Sequence, residues 1–181
     1  SCKEGNIYLI QWILFNTDIT LTLKKEYMFY IASEFNQIET VKFIYNIYPN
    51  MNISNQINKL LLIICEEGYF DLLLWIYSKY KNLIDSISKL NKYNLFFKAC
   101  TFFNLDIAEW LILIDSDIPI YLENNFLFKH ACRRNEIDLA SLLVNIRKDC
   151  YYINIIDDKI QNNEIINELS IKNTISRDNI E

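Results

Sequence analysis

Apolar residues in this chain recur at the spacing of a helix rather than of a strand. Leu105, Ile107, Ala108, Leu111 and Ile112 fall on one face of a 3.6-residue turn. The same spacing returns elsewhere when the chain is set in register on Cys2, Ser33, Cys65, Cys100 and Cys132. Five positions after each anchor stand Ile7, Ile38, Phe70, Leu105 and Ile137; eleven after stand Ile13, Ile44, Ile76, Leu111 and Leu143. Upstream of the anchors, further helices are predicted over Tyr27 to Glu34, Lys59 to Glu66, Asn94 to Thr101 and Phe126 to Arg133. Each unit therefore reads as helix, tight turn, helix, then loop.

The anchors are separated by 31, 32, 35 and 32 residues. Rare residues make the repeat visible. Both glycines, Gly5 and Gly68, lie three positions after an anchor, in a column completed by Asn36, Phe103 and Asn135. All three tryptophans, Trp12, Trp75 and Trp110, lie ten positions after one, beside Phe43 and Leu142. For the tryptophans alone, chance alignment at a period of about 32 is roughly one in a thousand. The glycine and asparagine column suits a helix end in the left-handed conformation, which those residues tolerate best. Six positions after the anchors, Glu39, Asp71, Asp106 and Asp138 (with Tyr8 in the first unit) belong to the first turn of the next helix. There the positive end of the helix dipole favours a carboxylate. The tryptophan column lies on the apolar face of the second helix and is expected in the core. The prolines, Pro49 and Pro119, fall in the inter-unit loops, where a missing N–H does least harm.

Composition then removes whole classes of chemistry. The chain has 181 residues but only two glycines, two prolines and one histidine. A phosphate-cradling loop needs several glycines in one short window, so neither a P-loop nor a dinucleotide fingerprint is present. A turn-rich sandwich or barrel is excluded on similar grounds. One histidine leaves few metal triads and little scope for acid–base catalysis. Hydrophobic residues make up 51% and charged residues 23%, which predicts a chain that folds. A net charge of −5 argues against a general nucleic-acid binder, although Lys24-Lys25, Arg133-Arg134 and Arg147-Lys148 make small basic spots. No apolar run approaches the roughly 20 residues that span a bilayer, so no membrane partner is expected. The segment Ser1-Cys2-Lys3-Glu4-Gly5-Asn6 does not read as a signal peptide, and there is no CxxC pair. A reducing, intracellular location is expected, and the sequon Asn52-Ile53-Ser54 then stays unmodified.

As a set, these columns resemble the ankyrin repeat. The small pair that closes the family's first helix is matched by Ser1-Cys2, Ala32-Ser33, Ala99-Cys100 and Ala131-Cys132, with Ile64-Cys65 a bulkier variant. The clearest copy runs from Cys65 to Ile76. The resemblance implies an all-α, ankyrin-like helix-turn-helix repeat solenoid of about five units over residues 1–148. It departs from the family where Thr-Pro-Leu-His would open the first helix: Tyr27-Met28-Phe29-Tyr30, Lys59-Leu60-Leu61-Leu62, Asn94-Leu95-Phe96-Phe97 and Phe126-Leu127-Phe128-Lys129 stand there instead. Residues 149–181 read as a loop plus a degenerate sixth or capping repeat, because Leu169 to Ile175 echoes Ala32 to Ile38. The first anchor is Cys2, so the first unit lacks its first helix, and a longer natural array is expected. The degenerate, Ile- and Asn-rich style resembles repeats of large DNA viruses of amoebae, which would place the protein in the cytoplasm of a host cell.

Nothing in the residues assembles a reaction centre. Packed helices stand about 8–10 Å apart, too far for same-column cysteines to form a disulfide or to share a zinc ion. The cysteines are expected to be small buried residues, with Cys150 outside the columns. His130 and Cys132 are two residues apart on one helix, so their side chains diverge, and His130 is expected at a helix–helix contact. Asp115, Asp117, Asp157 and Asp158 read as solvated turn residues. No catalytic, cofactor or metal residue is proposed, and no small-molecule substrate is expected.

The positions one and two after each anchor are different. In ankyrin-like units they face the groove that commonly binds partners. Here they hold Lys3-Glu4, Glu34-Phe35, Glu66-Glu67, Thr101-Phe102 and Arg133-Arg134. A solvated helix end would account for most of these. Phe102 and Phe103 are harder to explain that way. They are expected to be exposed, and aromatics beside Arg133 and Arg134 have the composition of an interface hot spot. The candidate partner-binding residues are therefore Phe35, Glu66, Glu67, Phe102, Phe103, Arg133 and Arg134, with Pro119 and Tyr121 in a second exposed loop. The expected function is a non-catalytic protein–protein interaction scaffold or adaptor. The alternative is a structural subunit buried in a larger, viral assembly.

Overall fold

A computed structural model describes residues 1–16, 25–116, 118 and 126–146, with the backbone alone at residues 13–16. Among the described residues every regular element is an α-helix and none is a strand. The helices are α1 (Ile7–Asn16), α2 (Lys25–Glu34), α3 (Ile38–Ile47), α4 (Ile57–Glu67), α5 (Phe70–Asp85), α6 (Lys89–Thr101), α7 (Leu105–Ile114), α8 (Phe126–Arg134) and α9 (Ile137–Ile146). No helix among the described residues is long and apolar enough to cross a membrane. Pro119, Tyr121, Asp117, Cys150 and the expected sixth unit over residues 149–181 lie outside the described residues.

One turn geometry joins α2 to α3, α4 to α5, α6 to α7 and α8 to α9, and precedes α1. Its left-handed residue is Gly5 (φ 67°), Asn36 (53°), Gly68 (76°), Phe103 (62°) or Asn135 (61°). The next N–H then reaches back to the carbonyl five residues upstream: Asn6 to Ser1 (3.0 Å), Gln37 to Ala32 (2.8 Å), Tyr69 to Ile64 (3.1 Å), Asn104 to Ala99 (2.9 Å) and Glu136 to Ala131 (3.0 Å). This bond satisfies a carbonyl that the ending helix would otherwise leave without a partner. Glu39, Asp71, Asp106 and Asp138 stand in the first turns of α3, α5, α7 and α9.

Gly5 and Gly68 meet a second demand. A β-carbon on Gly68 would lie 2.5 Å from Oδ1 of Asn104, and one on Gly5 would strike Oε1 of Gln37. These amides come from the next turn along the chain. Asn104 Nδ2 donates to the carbonyls of Cys65 (2.8 Å) and Glu66 (2.9 Å), so the end of α4 is capped by a side chain from beyond α6.

The core follows from the periodicity. Phe29, Leu61, Phe96 and Phe128, each four residues before an anchor, are buried, as are Ala32, Ile64, Ala99 and Ala131. From the second helices come Val41, Leu73, Ala108 and Ala140, then Ile44, Ile76, Leu111 and Leu143. The Phe, Leu, Ile and Val side chains among them stabilise by about 1.5–3 kcal/mol each on burial. α2 packs on α4, α4 on α6 and α6 on α8, and each also packs on the helix that follows it. Cys65, Cys100 and Cys132 are buried in this row and unbonded. Ser33 shares their column because its hydroxyl donates to Phe29 O at 2.8 Å.

Four features differ from the sequence reading. The tryptophan column is not core: Trp12 is 60% exposed, and Trp75 and Trp110 are half-buried. Trp75 and Trp110 pack edge-on against Tyr45 (5.4 Å between ring centroids) and Tyr77 (4.9 Å), at the rim of the apolar face. Asp115 is not a solvated turn residue, because Lys92 of α6 meets it at 2.9 Å with both side chains mostly covered. The loop between α3 and α4 is more than a connector, since Met51 and Ile53 are buried. Finally, α5 continues past a break at Tyr80 (φ −123°, ψ 29°) to Asp85, whereas α3 and α7 stop after ten residues. The longer 35-residue interval between anchors is taken up here.

Candidate interaction surface

Because the same turn closes each first helix, the side chains just before it emerge in equivalent places. Glu4, Phe35, Glu67, Phe102 and Arg134, each two residues past an anchor, are all exposed. One residue past the anchor, Lys3 and Arg133 are exposed, while Glu34, Glu66 and Thr101 are half-buried.

Phe35 (37% exposed) lies under Lys3, whose Nζ is 4.4 Å from the ring centroid. Phe102 (45% exposed) is flanked by Lys98, with Nζ 4.9 Å from the centroid. That ammonium also pairs with Glu66 at 2.8 Å, tying α6 to α4. Glu67 and Arg133 extend into solvent.

Phe103 is the exception in its column. It is half-buried rather than exposed as expected, because neighbouring rings cover it. Its ring lies parallel to His130, 5.2 Å between centroids and 7° between planes. The Arg134 guanidinium stands 5.9 Å from the centroid of Phe103. His130 in turn stacks on Phe126 (5.8 Å, 8°), and Phe126 on Phe97 (5.7 Å, 23°). With its proton on Nε2, His130 donates to the carbonyl of Thr101 at 3.2 Å. It thereby holds α8 against the end of α6, the helix contact expected of it. A left-handed conformation costs a bulky L-residue about 1–2 kcal/mol. An aromatic stack returns about 0.5–1.5 kcal/mol, enough to offset much of that.

The structure thus brings Glu66, Phe102, Phe103 and Arg134 into one cluster through Lys98 and His130, with Arg133 beside it. Phe35 stands apart with Lys3, and Glu67 lies on the same exposed row. Lys98 and His130 were missing from the sequence candidates for this surface. Both sit two residues before an anchor, where Ile31 and Ile63 stand in earlier units. That change from apolar to basic was the available signal.

The buried thiols of Cys65, Cys100 and Cys132 are held in the protonated, weakly nucleophilic form. Burial pushes the Cys65 thiol up to about 12 and that of Cys132 up to about 11. Burial, then the nearness of Cys65, raises Cys100 as well. Among the described residues no group of three His, Cys, Asp or Glu side chains is placed to hold a metal ion. Scans against protein-family models, curated proteins and solved structures each found no match to this chain.

Proposed function

We propose that this chain is an ankyrin-like array of helix-turn-helix units, with a period near 32, that serves as a non-catalytic scaffold for a protein partner. The observation that carries this is the α6–α8 corner, where Phe102 and Arg134 are exposed and Lys98, Phe103 and His130 hold them in place. Aromatic and arginine side chains of that kind supply most of the binding energy at protein interfaces. The ankyrin resemblance adds an intracellular setting and an origin in a large DNA virus.

The test is affinity capture by the full-length protein from the cells that make it, compared with a Phe102→Ala, Arg134→Ala variant. Both substitutions remove exposed side chains, so the melting temperature should hold while the captured partner is lost. An unchanged captured set from a folded variant would count against the scaffold.

A second role, a structural subunit inside a larger assembly, is favoured by α1. Leu9 is 41% exposed there, although its equivalents Thr40, Leu72, Ile107 and Leu139 are buried. A partner seated on Leu9 and Trp12 would complete that face.

A further inference from the structure

We infer that the α6–α8 end of the exposed row binds an acidic segment of a protein partner, with carboxylates on Arg133 and Arg134 and an apolar side chain on Phe102. The inference rests on the scaffold role proposed above and specifies its partner.

Charge is distributed unevenly along the row. The chain as a whole carries −5, yet α8 holds Lys129, His130, Arg133 and Arg134 and no acidic residue. The middle of the row holds Glu34, Glu66 and Glu67. Toward the middle of the row the basic groups are paired within the chain, Lys92 with Asp115 and Lys98 with Glu66. Arg133 and Arg134 are exposed and meet no carboxylate among the described residues. An exposed guanidinium fork matches a carboxylate in two-point geometry.

The backbone points the same way. Phe103 is the one aromatic residue among the described residues with a positive φ, in a column where glycine or asparagine would sit without strain. Its ring makes a floor that faces both His130 and Arg134. Strain of this kind persists where the surroundings impose it, and it concentrates at functional sites. The ring it places lies against the Arg134 guanidinium before any partner arrives, and such a contact lowers the ordering penalty of binding.

The same pattern disfavours a nucleic acid. A polyanion laid along the row would pass from the two arginines to Glu66, Glu67 and Glu34, where like charges meet. An acidic stretch confined to the α8 end, followed by an apolar residue over Phe102, avoids that repulsion.

The experiment uses the full chain and three labelled probes in fluorescence anisotropy. They are a capped peptide of glutamates around a Leu-Trp pair, its lysine counterpart, and a single-stranded oligonucleotide of equal charge. The glutamate peptide should bind at least about tenfold tighter than either control. Arg133→Gln with Arg134→Gln should weaken it about tenfold, and Glu67→Lys should tighten it. Phe103→Gly should weaken it while leaving the melting temperature level or higher. Equal binding of the lysine peptide, tighter binding of the oligonucleotide, or indifference to the paired arginine variant would each overturn the inference. If Phe103→Gly fails to fold, the surface arginine variants still decide. Should Phe102→Ala, Arg134→Ala abolish partner capture while the glutamate peptide neither binds nor competes, the scaffold stands and the acidic partner falls. Should capture ignore that variant, the scaffold falls first.

Discussion

Cys65, Cys100 and Cys132 show how one column can be fixed by space rather than by chemistry. Each fills the point where a first helix meets its neighbours, and the fold accepts serine at Ser33 because Phe29 O accepts a hydrogen bond from the hydroxyl. The burial that makes the thiols inert also couples them to pH. An ordinary thiol ionises near 9, whereas folded Cys65 holds its proton to about 12. Between those values the unfolded chain has released a proton that the folded chain retains, so stability must fall as pH rises. Tyr80, pushed from 10 up to about 12 by burial, acts in the same direction. Urea unfolding should give level stability from pH 7 to 8, then a loss of about 1 kcal/mol per pH unit from Cys65, with a smaller share from the partly solvated Tyr80. Cys65→Ala should show a shallower alkaline loss. Identical slopes for the two proteins from pH 9 to 11 would show that the Cys65 proton is not retained on folding. Phe103 is the opposite kind of residue. Its backbone conformation is unfavourable, and only the stack with His130 and the cover of Arg134 explain why an aromatic stands there.

At the scale of the element, the end of α4 is completed by a side chain from beyond α6. Asn104 satisfies two carbonyls at the end of α4, and the space it occupies exists because Gly68 has no β-carbon. Truncating it leaves those carbonyls without that donor, at about 1–3 kcal/mol. Asn104→Ala should therefore destabilise the chain by that amount in denaturant unfolding. Gly68→Ala should do at least as much, since it adds left-handed strain to a clash with Asn104. Combining the two should be less than additive, because removing the amide relieves the clash. Full additivity would refute the shared contact. The helices themselves were legible in the sequence, because the 3.6-residue period needs only composition along the chain. The left-handed turn was legible too, because Gly5, Asn36, Gly68 and Asn135 suit it. What the period cannot carry is contact between units. The Lys92–Asp115 pair, the Lys98–Glu66 pair and the His130 stack all join residues more than twenty positions apart. The burial of Met51 and Ile53 was hidden for a different reason, since a loop has no periodicity to betray which of its residues turn inward.

For the whole molecule the arrangement of contacts sets an order of stability. α4 and α6 each pack against a first helix on either side and against their own second helix, whereas α1 has no such row of neighbours among the described residues. Leu9 stays exposed on α1 where Leu72 and Ile107 are fully buried in α5 and α7. Local opening is easier for an element that keeps few packed neighbours. Native-state hydrogen exchange should then rank the amides of Ile10 and Gln11 in α1 well below those of Leu61, Ile64 and Phe96 in α4 and α6. Binding at the α6–α8 corner should slow exchange in α8 and leave α1 unchanged, whereas a partner seated on Leu9 and Trp12 should protect α1 first. Equal protection of α1 and α4 in the isolated chain would mean that α1 belongs to the same cooperative unit, and that its exposed face is no open edge.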